Sequence, residues 1–329
     1  MVQREGIVVA THMTQPAQSG ELWALVGVLA YAVAYIFDRA AMINADPLIG
    51  PLMLGFPSLV MGVLLLLTQK TYRQLQPGTQ DYVGRRAIMV FIIAGILSTL
   101  GVFTYYFALQ IGGVTITIPV QQTFIIWGAI AGWLYLGERY SRNGLIGVGI
   151  LVAGLILLGF GQTRGIPVSR DWYYAIPLAL FTAMSYGISG VFWREGQLRG
   201  ADQSVGIFLQ FITSEIIALL GLLLFGRVET LFKTSGYDLG KLFVSGVLSG
   251  VIGVYCLFTS LKLMSVTRTY ALFSLIPLVA VVLAYLFLKE NINWQMMIGI
   301  LLGCFGVMLI QVFKTNEGVK EWKVDAVKE

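Results

Sequence analysis

The sequence predicts an all-α integral membrane protein of ten transmembrane helices, arranged as two inverted five-helix repeats. Three observations carry that expectation: a composition poor in charge, ten long apolar runs, and an internal repeat relating the two halves. Of 329 residues, 57% are hydrophobic and only 12% charged, and the mean hydropathy is +0.79. Soluble domains carry about a quarter charged residues. Here the charges cluster between apolar runs, each near the roughly 20 residues that span a bilayer core as helix. In lipid every backbone group must be bonded within its own segment, and these runs lack the period-2 alternation of a barrel strand.

In chain order the predicted spans are 22–43, 47–67, 87–110, 114–137, 143–160, 172–193, 203–225, 239–264, 267–288 and 294–313. Basic residues separate several of them. Lys70, Arg73, Arg85 and Arg86 fall between the second and third spans, and Arg139 and Arg142 between the fourth and fifth. Arg194 and Arg199 follow the sixth, and Lys262 and Arg268 flank the turn between the eighth and ninth. The predicted divisions are an N-terminal tail 1–20, a first half 21–165, a second half 166–313 and a C-terminal tail 314–329.

Fifteen Lys and Arg fall on the side that holds both tails and seven on the other. The positive-inside rule therefore predicts a multi-pass protein of the cell membrane with both termini cytoplasmic. The net charge of +5 reads as orientation. No basic face with stacking aromatics suggests nucleic acid as a partner. The N-terminal tail lacks a signal-peptide cleavage pattern, and Met13 offers an alternative start. Cys256 and Cys304 lie within predicted spans and read as small packing residues.

The repeat sets the architecture. Shifted by 152 residues, 97–155 overlies 249–307 without a gap, and twelve of fifty-nine pairs are identical. They include Gly101 with Gly253, Thr115 with Thr267, Glu138 with Glu290, Gly147 with Gly299 and Gly154 with Gly306. The first and sixth spans match as Ala32 with Ala183 and Tyr35 with Tyr186. Five helices per half is an odd number, so the second half enters from the opposite side. Such inverted repeats place a solute site near the midplane, between the halves.

The residues also carry a resemblance. Phe107-Ala-Leu-Gln-Ile-Gly-Gly-Val-Thr, Gly132-Trp-Leu-Tyr-Leu-Gly-Glu-Arg and the Gly147–Gly154 stretch resemble the EamA-like branch of the drug/metabolite transporters. The second copy, Thr259-Ser-Leu-Lys-Leu-Met-Ser-Val-Thr through Leu283-Ala-Tyr-Leu-Phe-Leu-Lys-Glu-Asn, resembles it as well. The resemblance covers roughly residues 20–313. It implies a solute carrier whose central cavity is lined mainly by helices one, three, four, six, eight and nine, with helix seven peripheral. One departure concerns shape: helix nine carries the family's proline as Pro277, whereas helix four has Ile125 there and Pro119 earlier.

Candidate substrate-binding residues follow. Tyr31, Tyr35 and Asp38 share one face of helix one, and Tyr186, Ser189 and Trp193 share one face of helix six. Each reads either as cavity lining or as packing, and Trp193 also as an interfacial anchor. Gln121 and Gln122 are mid-membrane amides that bind substrate or bond neighbouring helices. Arg268 either attracts an anionic group or anchors the cytoplasmic turn. Tyr105, Tyr270 and Ser274, on helices three and nine, complete the set. Glu215 in helix seven is the candidate coupling residue, set against a structural carboxylate. Glu138 and Glu290 read as structural, each placed near the N-terminal end of a following helix. Gly246/Gly250 and Gly299/Gly303 are spaced for close helix approach and leave a homodimer open.

The expected function is secondary transport of a small organic metabolite by alternating access, with membrane lipids as surroundings. The alternatives are a membrane-embedded enzyme and a channel. An enzyme lacks equipment here: the sole histidine, His12, lies in the tail, and no Walker loop is present. No cofactor or metal is expected. A channel is disfavoured by the absence of a filter-like loop.

Overall fold

The computed structural model describes residues 18–42, 44–138, 141–162, 172–288 and 293–313. His12, Arg139 and Glu290 lie outside them. The first half contains α1 (Gln18–Ala41), α2 (Ile49–Thr68), α3 (Arg85–Gln121), α4 (Phe124–Ala131) and α5 (Arg142–Gln162). The second contains α6 (Ala175–Leu198), α7 (Gln203–Leu224), the short α8 (Val228–Lys233), α9 (Gly236–Ser245), α10 (Val254–Leu263), α11 (Val266–Phe273), α12 (Ile276–Leu288) and α13 (Trp294–Val312). Among the described residues, seven helical stretches are long and apolar enough to cross a membrane, and three shorter apolar segments, Phe124–Leu136, Val266–Ala280 and Trp294–Ile310, accompany them.

The predicted spans are all helical, but three of their joints differ from the expectation of ten separate rods. The third and fourth spans are not divided by a loop. Helical backbone continues from Arg85 to Gln121, 37 residues that would run about 55 Å if straight. The stretch folds back on itself. Val120 joins the cluster built on Ala108, Ala175 and Ala179, and Tyr105 and Gln121 both reach Tyr35.

The other two joints are breaks. Helix four is interrupted at Gln122–Thr123 and helix nine at Ser274–Leu275. These positions are related by the same shift of 152 residues that defines the repeat. In helix nine Pro277 removes a backbone donor, and the Ser274 hydroxyl donates to the Tyr270 carbonyl at 2.8 Å. Helix four bends without proline at the matching position. The Thr123 hydroxyl takes the Val120 carbonyl at 2.7 Å, and the Thr123 N–H donates to that same carbonyl at 3.1 Å. Such side-chain back-bonding competes with the helical ladder.

Packing obeys the same pseudo-symmetry. α5 lies against α13 and α2 against α7, each a helix paired with its own repeat mate. α6 packs on α3 as α1 packs on α9 and α10. Between α9 and α10 the helix loosens into a π-helical stretch, Gly246–Gly253. Here Gly246 and Gly250 face the Met53 and Leu54 carbonyls of α2, so this glycine pair serves packing within the chain.

Candidate functional site

Between the halves lies a cavity of about 200 Å³. Its walls come from α1, α2, α3, α4, α6, α7, α10, α11 and α12 and from the π-helical stretch. The α1 face is the one the spacing predicts, with Tyr31, Tyr35 and Asp38 all on the wall. Tyr186 and Ser189 of α6 stand opposite. Tyr105, Gln121, Gln122 and Tyr270 also line it.

Aromatic rings dominate and hold one another. Tyr35 meets Tyr105 at 6.4 Å between ring centroids, Tyr31 meets Phe273 at 5.9 Å, and Tyr270 meets Phe124 edge-on at 4.9 Å. Edge-on and tilted pairs at these distances are favourable beyond the area they bury. The Tyr270 hydroxyl donates to the Tyr186 carbonyl at 2.7 Å, tying α11 to α6. Glycines make room for these rings. Tyr270 lies between Gly190 and Gly128: a β-carbon at Gly128 would approach its ring to 2.5 Å, and one at Gly190 would collide with its hydroxyl. Tyr31 lies on Gly253 in the same way, at 2.5 Å.

The wall also carries the hydroxyls of Ser98, Thr99, Ser189, Ser214 and Ser249, three amides and one carboxylate. Asp38, 5% exposed, accepts a long hydrogen bond of 3.5 Å from the Tyr106 hydroxyl, and Ser245 also approaches it. The Gln121 side chain approaches Tyr35. Gln121 Oε1 and Gln122 Oε1 are buried and accept no hydrogen bond among the described residues.

Four candidates lie off the wall. Trp193 is two turns beyond Tyr186 on the same α6 face, about 10 Å along the axis. There it stacks on Phe258, meets Phe91 edge-on at 4.8 Å and donates to Gln210. Arg268 pairs with Glu21 at 2.7 Å. Ser274 is fully buried, and its hydroxyl is turned to its own helix. Glu215 is 9% exposed and points at Gly55 of α2, whose β-carbon would strike the carboxylate.

The wall also contains residues that spacing did not single out. Gln210, Phe211 and Ser214 bring α7 to the cavity, so helix seven is not peripheral, and Pro51, Leu54 and Gly55 do the same for α2. The sequence signal for α7 is a set of polar residues, Gln210, Thr213, Ser214 and Glu215, in an apolar run. Glu215 stands about 100° round the helix from Ser214.

An ionic layer lies at the end of the bundle where α1 and α3 begin. Arg194 pairs with Glu138 at 3.5 Å and donates to the Leu261 and Met264 carbonyls, the first at 2.7 Å. Glu138 accepts the Val266 N–H at 3.1 Å. The helix whose N-terminus it serves is thus α11, not the following α5. Glu195 is fully buried and bonds Arg86 and Arg199 at 3.2 and 2.8 Å. Among the described residues no three His, Cys, Asp or Glu side chains cluster as metal ligands.

Comparison with known proteins agrees with this geometry. The EamA-like transporter family matches residues 18–160 and again 173–312, once per half. A protein of Sinorhizobium sp, named "Uncharacterized transporter in cobO 3'region", is 26% identical over 149 residues. That match covers 43% of this chain and 97% of the relative. A solved crystal structure of a protein 15% identical superposes with a TM-score of 0.73, over 90% of this chain and 97% of that one, and so shares the fold.

Proposed function

The chain belongs to the EamA-like transporter family, and from that premise we propose that it is a secondary transporter moving a small organic metabolite across the cell membrane by alternating access. The carrying observation is the pair of helix breaks at Gln122–Thr123 and Ser274–Leu275, one per half, at repeat-related positions beside one shared cavity. A broken helix can change angle without unfolding, because the ladder is already interrupted there. Two such joints, exchanged by the pseudo-twofold, give the halves matched means of closing the cavity from either side. The ionic layer of Glu138, Arg194 and Arg268 reads as the closed side, facing the cytoplasm together with both termini.

Counterflow in vesicles tests this. Preloaded, reconstituted protein should accelerate entry of labelled solute when unlabelled solute is inside. A flux unaffected by trans solute would mark a channel and overturn the carrier. A reporter fused after Glu329 should be active as a cytoplasmic fusion and silent as a periplasmic one.

A further inference from the structure

We propose that the cavity takes a compact organic cation, an amine protonated at neutral pH, with Asp38 as its counter-ion and the tyrosine rings as its walls. This rests on the carrier reading of the same cavity and adds the class of solute.

The argument starts from charge. Among the described residues the wall carries one ionisable carboxylate, Asp38, and no Lys or Arg. The cations of adjoining elements are already engaged: Arg268 with Glu21, Arg194 with Glu138, and Lys241 with Asp238 at 2.9 Å. Arg268 is therefore not offered to a bound anion. A buried carboxylate with no cation beside it among the described side chains is costly, and an entering cation offsets that cost. A carboxylate or phosphate solute would instead meet like charge and no donor cation.

The hydrogen-bonding complement points the same way. Gln121 Oε1 and Gln122 Oε1, on residues 5% and 1% exposed, are unfilled acceptors on the wall. A carboxylate can accept about four hydrogen bonds, and Asp38 has a long one from Tyr106 and the approach of Ser245. These groups call for N–H donors, which an ammonium supplies threefold. Tyr31, Tyr35, Tyr105, Tyr186 and Tyr270 present π-systems around the same space, and tyrosine faces attract cations within about 6 Å. Size narrows the class. The volume of about 200 Å³ falls below the roughly 300–1,000 Å³ of pockets for drug-sized ligands.

The test uses three probes of similar size and different charge: phenethylamine, 2-phenylethanol and phenylacetate. Each is titrated into purified full-length protein in detergent, and affinity is read from the ligand-dependent rise in melting temperature. The amine should bind at least about tenfold more tightly than the other two, as expected for one charge-assisted hydrogen bond. Asp38→Asn should lower its affinity to that of the alcohol, and Asp38→Glu should keep the amine preference. No amine preference in the unaltered protein, including no binding of any probe, overturns the proposal whatever the variants do. So does undiminished amine binding by a folded Asp38→Asn. Counterflow separates this from the carrier reading. Tight amine binding without trans-acceleration leaves the solute class standing and removes the carrier. Counterflow of other solutes with no amine preference does the reverse.

Discussion

Gly147 of α5 and Gly306 of α13 meet backbone to backbone, so that a β-carbon on Gly147 would lie 2.9 Å from the Gly306 carbonyl. Their repeat mates do the same. A β-carbon on Gly299 would lie 2.8 Å from the carbonyl of Gly154. The two contacts are exchanged by the pseudo-twofold, and together they fasten the last helix of each half to its counterpart. Small residues at helix interfaces give close approach in membranes, where no hydrophobic drive favours helix pairing.

That symmetry makes a paired prediction. Leu at Gly147 or at Gly299 should destabilise the purified protein by similar amounts, about 1–3 kcal/mol each, the usual cost of overpacking. Gly149, with nothing within 4 Å of its β-carbon position, should accept Ala without loss. Melting temperatures in detergent measure all three. A large loss at one mate and none at the other would contradict the symmetric interface.

The Glu138–Arg194 pair should behave as structure. Each side chain is about 7% exposed, and removing one partner of a buried pair costs about 3–5 kcal/mol. Glu138→Ala should therefore lower stability sharply, freeing the α11 N-terminus as well as Arg194. Glu138→Gln, which keeps an acceptor for the Val266 N–H, should recover part of that loss. Equal melting temperatures for Ala, Gln and the unaltered protein would remove the pair from the closed layer.

How much of this was legible in the sequence depends on what kind of order was sought. The spans follow from hydropathy, and the halves follow from the in-register Gly147/Gly299 and Gly154/Gly306 pairs. Helical periodicity brings Tyr35 and Tyr186 to the same cavity, because spacing fixes a face. It does not fix axial depth, which is why Trp193 shares the Tyr186 face yet lies beyond the cavity among Phe91 and Phe258. Tertiary partners were equally hidden. Nothing local foretells that Glu21 takes Arg268 or that Glu138 serves α11. Nor does a proline search find the helix-four break, since Thr123 makes it by taking a backbone carbonyl.

Glu215 is expected to be dispensable for coupling. It is set against Gly55 of α2 and does not itself line the cavity, while its neighbours Gln210, Phe211 and Ser214 do. Glu215→Gln preserves shape and one acceptor, so solute counterflow and pH-gradient-driven uptake should both persist within about twofold, the small change usual when no interaction is lost. Loss of gradient-driven uptake with counterflow intact would instead make Glu215 the coupling group.

Tyr35 and Tyr186 decide whether the pseudo-symmetry is functional. They occupy matching positions on α1 and α6, both on the cavity wall. In an inverted pair, closing one side brings one ring inward while its mate opens. The Tyr35 hydroxyl engages Gln121, so Phe there should lose about 1 kcal/mol of hydrogen bonding. Alanine removes the ring and with it a much larger contact. Phe at either position should therefore keep most counterflow, and Ala at either position should reduce it by at least about tenfold, the rate equivalent of about 1.4 kcal/mol. Single cysteines at 35 and 186 in a background lacking Cys256 and Cys304 should label in opposite directions when solute is added, since alternating access exposes each in one state only. Full counterflow by both Ala variants, with labelling indifferent to solute, would reduce the two tyrosines to packing residues and leave the gate to be sought elsewhere on the wall.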